Sequence, residues 1–304
     1  MTSPASRSAT ARPRSRNSSS PARPSAPRSW ATDRPVDPVG GSTATTKEPA
    51  CSSTPPPSSP GGASGLGEAA ARRLIDLGAT VAAFDLDDTK GAQLESELGE
   101  RYHHHKVDVS QLDRVETAVV AVEANHGPVR IVVNAAAVPA PAKLLSSRGP
   151  ISMEVFDKGI KVNLYGPIHV MRSVVAGMAA SDPNEDGERG VIINVASGAA
   201  YEGQVGQVAY SASKGALVSM TMPLFRELAI HGIRVMTVAP GAFDTPIYDH
   251  VPPALKEQLA AQCLFPKRMG RPEEFGLLIE EIVRNPMHNG RTIRLDAGMI
   301  LGPS

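Results

Sequence analysis

The segment Gly61-Gly62-Ala63-Ser64-Gly65-Leu66-Gly67 most constrains what this chain can fold into. Its glycines allow a tight turn and a close backbone approach to a pyrophosphate held at a helix N-terminus. A helix is predicted directly after it, over Glu68–Leu77, and Gly78 ends that helix. A short apolar stretch follows and ends in Asp85, eighteen residues after the last glycine. This order of turn, helix, strand and carboxylate predicts a nucleotide-binding unit.

Strand and helix patterns alternate along the rest of the chain, which predicts an α/β fold with a doubly wound parallel sheet. The predicted strands lie near Thr80–Asp85, His104–Val107, Val129–Ala135, Val191–Val195, Ile233–Val238 and Thr292–Leu295. The predicted helices lie near Thr89–Leu98, Gln111–Asn125, Ser152–Ala180, Val208–Ile230, Ala254–Gln262 and Pro272–Arg284. Parallel strands end at one edge of the sheet, so residues distant in sequence are expected to share one cleft there.

Tyr210 and Lys214 lie four residues apart in a predicted helix, which places them on one face. A phenol with a reference pKa of about 10 is a poor proton donor or acceptor at neutral pH. A neighbouring ammonium favours the phenolate, so we expect Lys214 to lower the pKa of Tyr210 toward the working range. Ser197, thirteen residues before the tyrosine, supplies a hydroxyl at a predicted strand end.

With these elements in this order, residues 61–304 resemble the short-chain dehydrogenase/reductase family. The resemblance implies a Rossmann fold and an NAD-dependent oxidoreductase. It implies that Asn163 holds a water in a proton relay and that Ser197 hydrogen-bonds the substrate oxygen. Tyr210 is then the general acid and base, and Lys214 binds the nicotinamide ribose.

The expected cofactor is NAD. Asp85 can accept hydrogen bonds from both adenosine ribose hydroxyls and would repel a 2′-phosphate, and Ser64 offers that phosphate no positive charge. The resemblance extends the cofactor site to the loop after Pro240 and to the pair Asp108-Val109. The predicted cofactor-binding residues are Gly61, Ser64, Gly65, Leu66, Gly67, Asp85, Asp108, Val109, Asn134, Ala136, Tyr210, Lys214, Pro240, Gly241, Phe243 and Thr245.

Within the family, the segment Glu202–Gln207 resembles members that oxidise 3-hydroxyacyl-CoA thioesters and hydroxysteroids. The loops Val138–Ile151 and Ser181–Gly190 agree with this closer resemblance, as do Ile233–Thr237 and Asn285-Pro286. It implies a secondary alcohol as substrate, a place in fatty acid metabolism and a homotetramer. The predicted substrate residues are Ser197, Gln204, Gln207 and Tyr210, and a lid is predicted over Thr245–Pro266.

Two other functions stay open. One is a 3-oxoacyl or ketone reductase of the same family, which would prefer NADPH, so cofactor preference discriminates it. The other is a non-catalytic scaffold or RNA-processing subunit, which a turnover assay would identify. The presence of Ser197, Tyr210 and Lys214 together speaks against pure scaffolding.

The charge balance gives no electrostatic reason to expect a nucleic acid or an anionic membrane as partner, because 31 basic residues match 31 acidic ones. No apolar run reaches the length of a membrane span. Two cysteines suggest no disulfide framework, which favours a reducing, cytoplasmic location, with a mitochondrial one as the alternative. His103-His104-His105 is not expected to bind a metal, because adjacent strand residues point to opposite faces.

Residues 1–60 differ from the rest, because they contain no Leu, Ile, Phe or Tyr and are rich in Ser, Pro and Arg. Such a segment cannot bury enough apolar surface to offset its chain entropy, so a disordered tail is expected. Its arginines raise the alternative of a transit peptide, although its prolines oppose an amphipathic helix. A third interpretation is a reading-frame error, and we predict that residues 51–60 are out of frame.

The frame interpretation follows from the fold. A central strand should precede the glycine segment, yet Pro55–Pro60 contains four prolines, and proline cannot donate to a β-ladder. Reading the codons of Pro57–Pro60 shifted by one base, with TCN serines, yields a small residue, two of Val, Ile, Leu or Phe, and another small residue. Ala-Val-Val-Thr is one solution, and removing a single G at the Pro60–Gly61 junction produces it. The first strand is therefore expected to be missing as the chain is written.

Two further positions depart from the family pattern. The turn after the third predicted strand reads Asn134-Ala135-Ala136-Ala137 in place of an Asn-Asn-Ala-Gly sequence. The alanine in place of that glycine costs little if its φ stays negative, and more if the backbone is left-handed. The C-terminal Asp-Gly-Gly of the family reads Asp296-Ala297-Gly298.

Overall fold

The protein is described here by a computed structural model over residues 61–147, 149–248 and 252–303. Its helices are α1 (Gly65–Asp76), α2 (Asp88–Leu98), α3 (Leu112–His126), α4 (Met153–Ile160), α5 (Gly166–Ala180), α6 (Val208–Leu228), α7 (Pro253–Gln262) and α8 (Pro272–Arg284). Its strands are β1 (Val81–Asp85), β2 (Tyr102–Lys106), β3 (Ile131–Asn134), β4 (Leu145–Ser146), β5 (Gly149–Pro150), β6 (Gly190–Val195), β7 (Ile233–Pro240) and β8 (Thr292–Leu295). The proposed disorder, targeting role and frame error of residues 1–60 lie outside the described residues.

Strands β1, β3, β6 and β7 are buried between helices on both faces, which confirms the doubly wound fold. Side chains alternate across a strand, and β3 shows the consequence. Val133 packs into a core with Leu74 of α1 and Phe275 of α8, whereas Val132 packs into a second core with Val174 of α5. Strands buried on both faces must be apolar along their whole length, and this explains their nearly continuous apolar sequences.

Apart from the antiparallel pair β4–β5, the strands pair in parallel, which places their carboxyl ends at one edge. One sheet has the order β3-β6-β7-β8, and a second contains β1 and β2. The register aligns Asn134 with Asn194, and Val195 with Val238. The segments after β3, β6 and β7 therefore leave the sheet close together.

The six predicted strands and the predicted helices are present, with boundaries shifted by a few residues. One helix predicted over Ser152–Ala180 is instead α4, a π-helical segment Lys161–Tyr165 and α5. The π segment contains the buried Asn163. The two-residue strands β4 and β5 were not predicted. No helix among the described residues is long and apolar enough to cross a membrane.

The two sheets are separate because β1 and β3 do not hydrogen-bond to each other. Both strands nevertheless contact α1 and contribute side chains to the same core. The strand expected before Gly61 belongs between them in a continuous doubly wound sheet. That strand would fall on residues outside the described part of the chain.

Candidate active site

The glycine segment forms the turn that leads into α1. Gly65 has φ of +58°, a left-handed conformation that a side chain would strain. Gly67 tolerates no side chain, because a Cβ there would lie 1.7 Å from the carbonyl oxygen of Gly61. Ser64 is buried at the N-cap position of α1. The turn therefore exposes the N-terminus of a helix where phosphate groups are bound most readily.

Asp85 ends β1 beside this turn. Its Oδ2 accepts a hydrogen bond from Ala63 N at 3.0 Å, and its Oδ1 accepts one from Asp87 N at 3.0 Å. Burial raises the pKa of Asp85, while these backbone hydrogen bonds oppose the shift. The carboxylate is thus fixed in orientation at the carboxyl end of its strand, next to the glycine turn.

Four other predicted cofactor residues follow or end strands at the same edge, and they are buried or hydrogen-bonded to protein atoms. Asn134 Nδ2 donates to Asn194 Oδ1 at 2.9 Å, and Asp108 Oδ1 accepts from Ser110 N at 2.9 Å. Val109 and Ala136 are buried, and both belong to the core that packs against α5.

Ser197, Tyr210 and Lys214 converge where β6 ends and α6 passes over the sheet. The Ser197 side chain lies close enough to Tyr210 to lower the pKa of its phenol. Lys214 Nζ donates to Val195 O at 2.7 Å and lies 5.8 Å from the centroid of the Tyr210 ring. The helical spacing and the strand end thus bring together three residues that the sequence predicted as catalytic.

The pKa of Tyr210 shifts opposite to the direction expected from Lys214. Burial raises the pKa of Tyr210 to about 12, although the Ser197 side chain lowers it. Burial also lowers the pKa of Lys214 to about 7, since desolvation disfavours its ammonium form. Desolvation therefore dominates both groups, and the proximity of the two side chains does not reverse it.

Asn163 fastens the loop after β3 to α6. Its Oδ1 accepts from Val138 N at 2.7 Å, and its Nδ2 donates to Val138 O at 2.9 Å and to Ser213 Oγ at 3.2 Å. Ser213 Oγ in turn donates to Tyr210 O at 2.7 Å. The whole amide of Asn163 is engaged by protein atoms, so its predicted role as a water holder stays a prediction.

Two adjoining cavities meet at Ser197 and Tyr210. The smaller, about 110 Å³, is also lined by predicted cofactor residues, namely Leu66, Lys214, Pro240, Gly241, Phe243 and Thr245. The larger, about 360 Å³, is lined by Gln204 and Gln207 together with apolar side chains such as Pro139, Leu259 and Met299. Ser197 and Tyr210 therefore lie in the wall that the two cavities share. Asp108 and Val109 line neither cavity.

Several residues of the larger cavity were not predicted from the sequence. They are Arg294, Asp296, Met299 and Leu301, whereas Tyr248 lies within the predicted lid and Glu202 within the segment that carries the closer resemblance. Most come from the C-terminal segment, whose sequence shows no periodic pattern or motif that would place it over α6. Only Asp296 stood in a motif, the altered Asp-Gly-Gly.

The departures from the family pattern have different consequences. Ala137 keeps a negative φ, so the missing glycine after β3 causes no backbone strain there, whereas Ala297 adopts φ of +54°. The histidine run makes ordinary contacts: His104 Nε2 lies 3.2 Å from Asp88 Oδ1, and His103 stacks on His126. Within the described ranges, no group of His, Cys, Asp or Glu is arranged to hold a metal ion.

Comparison with known sequences identifies relatives over most of the chain. The family model for short chain dehydrogenase matches residues 60–255. Human 3-hydroxyacyl-CoA dehydrogenase type-2 is 43% identical over 245 residues, which cover 80% of this chain and 94% of that protein.

Solved structures agree. The 3-hydroxyacyl-CoA dehydrogenase type-2 from Mycobacterium avium superposes with a TM-score of 0.77 at 36% identity, covering 86% of this chain and all of that one. The 3-ketoacyl-(acyl-carrier-protein) reductase from Brucella melitensis, complexed with NADH, has a TM-score of 0.72 at 27% identity and covers 84% of this chain and 98% of that one. This chain therefore belongs to the short-chain dehydrogenase family and is an oxidoreductase that uses a nicotinamide cofactor.

Proposed function

We propose that this protein is an NAD-dependent dehydrogenase that oxidises the secondary alcohol of a 3-hydroxyacyl-CoA or of a similar hydroxy compound. The observation that carries the proposal is the position of Ser197 and Tyr210 in the wall between the two cavities. A substrate in the larger cavity would meet both hydroxyls while facing the cavity that contains Lys214. The names and the 40–43% identities of the type-2 3-hydroxyacyl-CoA dehydrogenases support this substrate class.

The side chains divide the chemistry among them. A nicotinamide held by the residues of the smaller cavity would supply the acceptor for the hydride of the carbinol carbon. The Ser197 hydroxyl orients the substrate oxygen, and the Tyr210 Oη removes its proton as hydride leaves. Because burial raises the pKa of Tyr210 to about 12, the phenol needs a nearby positive charge to reach its phenolate form. The Lys214 ammonium supplies that charge once polar ligand groups resolvate it, and the Val195 carbonyl holds it in place.

A preference for NAD over NADP is supported by Asp85. Its carboxylate is buried and held by two backbone N–H groups, so it cannot swing away from a ribose at the glycine turn. A 2′-phosphate placed there would add negative charge beside a buried carboxylate, which is costly. Ser64 at the adjacent N-cap offers no compensating cation.

The size and lining of the larger cavity support a short, mainly apolar acyl group. Pro139, Pro141, Leu259 and Met299 supply apolar surface, while Gln204 and Gln207 supply amides. The backbone N–H of Gln204 donates to Gln207 Oε1 at 3.0 Å, which holds the Gln207 side chain in place. Small-molecule sites are commonly apolar cavities with a few placed polar groups of this kind.

The experiment is a turnover panel with the full chain: 3-hydroxyacyl-CoA thioesters of increasing length and a hydroxysteroid with NAD or NADP, and a 3-oxoacyl-carrier-protein with NADH or NADPH. We expect the highest kcat/KM for a 3-hydroxyacyl-CoA with NAD. A higher kcat/KM for reduction of the carrier-protein substrate with NADPH would establish the reductase instead. Cofactor binding without turnover of any substrate would support a non-catalytic role.

A further inference from the structure

The chain after β8 forms a strap across the larger cavity, which we call the C-terminal strap, residues 296–303. Two consecutive residues with positive φ, Ala297 and Gly298, turn the chain away from the sheet. Asp296 stabilises the turn, since its Oδ1 accepts from Gly298 N at 3.1 Å and its carbonyl oxygen accepts from Met299 N at 2.9 Å. A left-handed alanine is uncommon, so the turn depends on these contacts.

An ion cluster anchors the base of the strap. Arg294 Nη1 and Nη2 donate to the two carboxylate oxygens of Glu202 at 2.7 and 3.2 Å, and its Nε donates to Asp296 Oδ2 at 2.5 Å. Arg294 Nη2 also donates to Met299 O at 2.9 Å. A guanidinium paired with a carboxylate through two parallel hydrogen bonds is fixed in direction as well as in charge.

The loop before α6 holds the far end of the strap. Leu301 N donates to Glu202 Oε2 at 3.2 Å, and Gln204 Nε2 donates to Gly302 O at 3.1 Å. Val205 N donates to Pro303 O at 3.0 Å. The strap is thus fastened along its length to the segment between Ser197 and α6.

This arrangement points the Leu301 side chain into the cavity. Leu301 and Met299 both line it, and they pack with Leu259 of α7 and Cys263. Gly198 is the residue after Ser197, and a Cβ added to it would lie 3.9 Å from Leu301 Cδ1. A large group attached to the reacting carbon would therefore meet Leu301 soon after leaving Ser197. The neighbouring Ile300 points away, because it is 68% exposed and does not line the cavity.

We propose that Leu301, held in place by the Glu202–Arg294 pair, determines how large a substrate this enzyme accepts. The inference rests on the proposed function for its substrate class. Its physical basis is steric, because Leu301 lines the cavity and its backbone N–H is held by Glu202. Glu202 is a positioning residue in this scheme, since it contacts the strap rather than the reacting atoms.

The test compares Leu301→Ala, Leu301→Phe and the matched control Ile300→Ala on 3-hydroxyacyl-CoA thioesters with four and ten acyl carbons. Removing one or more methylene-sized groups from such a wall changes discrimination by about tenfold or more. We expect Leu301→Ala to raise the ratio of kcat/KM for the long over the short substrate about tenfold. Leu301→Phe should lower it, and Ile300→Ala should leave it within twofold. A loss of folded enzyme lowers kcat/KM for both substrates equally, so it cancels in this ratio.

Glu202→Gln tests the anchoring. We expect it to shift the size ratio in the same direction as Leu301→Ala. Unchanged ratios in both Leu301 variants of an active enzyme would overturn the inference. If the enzyme turns over only hydroxysteroids or carrier-protein substrates, the proposed function fails, and the ratio is measured between large and small members of that class. Absence of all turnover would contradict both proposals.

Discussion

The two parts of the sheet differ in how completely their strands are paired. In the four-stranded part, β6 is paired along its whole length to β7, and both strands are buried from end to end. In the two-stranded part, β1 is equally buried but, within the described part of the chain, pairs only with β2. Ser197 follows β6 in the four-stranded part. Asp85 ends β1 in the two-stranded part, next to the glycine turn.

The catalytic serine and the predicted cofactor carboxylate are therefore supported by different numbers of paired strands. Buried backbone groups need hydrogen-bond partners, and the edges of β1 and β3 that face each other do not supply them to one another. Both strands contact α1. The segment that precedes the glycine turn in the sequence is Pro57-Ser58-Ser59-Pro60, which can offer few donors and no large apolar side chain.

The largest effect is expected from completing the sheet. Replacing Pro57–Pro60 with Ala-Val-Val-Thr, as the one-base deletion would encode, should stabilise the protein by roughly 3–6 kcal/mol if two valines become buried. Urea unfolding followed by circular dichroism measures this. Ala-Ser-Ser-Thr at the same positions is the control, because it removes the prolines without adding apolar surface. Equal stability of the written and repaired chains, with resequencing that confirms the written codons, would contradict the frame interpretation.

The second-largest effect is a loss of turnover, and it is expected beside the four-stranded part of the sheet. Tyr210→Phe should lower kcat by about 10²–10⁴ because the general acid and base is removed. NAD binding, measured by fluorescence titration, should change less than threefold, since the ring and Lys214 remain. Tyr165→Phe is the matched control, because Tyr165 is about half exposed and lines neither cavity. Turnover within a few-fold of the parent enzyme would exclude Tyr210 from proton transfer.

A smaller effect is expected at the carboxyl end of β1. The protein should prefer NAD over NADP at least tenfold in kcat/KM, because charge-assisted hydrogen bonds are worth about 1.5–3 kcal/mol. Asp85→Ser should remove most of that preference. Asp87→Asn serves as control. Asp87 is the N-cap of α2 and accepts hydrogen bonds from Thr89 N and Lys90 N, so its substitution does not alter the carboxylate expected to bind the ribose. Equal kcat/KM for both cofactors in the unsubstituted enzyme would refute the assignment.

The smallest effect tests a contact that links β2 to the glycine turn. Tyr102 is buried, and its Oη donates to Gly62 O at 3.2 Å. Tyr102→Phe should destabilise the protein by about 0.5–1.5 kcal/mol, the net value of one hydrogen bond. Urea midpoints compared with those of the exposed Tyr201→Phe measure it. A loss far above this range would mean that Tyr102 supports more of the two-stranded part than one bond.

Most of the fold followed from the sequence because its signals are local. Apolar stretches bounded by Gly78 or Asn134 define strands, and the four-residue spacing of Tyr210 and Lys214 holds in any α-helix. The π segment around Asn163 did not follow, because a helix widens there to suit tertiary contacts with Val138 and Ser213. The single long helix predicted over Ser152–Ala180 was therefore wrong at its centre.

The sequence by itself determined the family, the doubly wound sheet and the identity of the residues at its carboxyl edge. Only the tertiary structure decided the direction of the pKa shifts of Tyr210 and Lys214, because desolvation depends on every element that covers them. The tertiary structure also places Met299 and Leu301 in the wall of the larger cavity. Glu202 and Arg294 are separated by 92 positions. No periodic pattern in the sequence predicts this contact, because it forms only when the fold brings β8 next to the loop before α6.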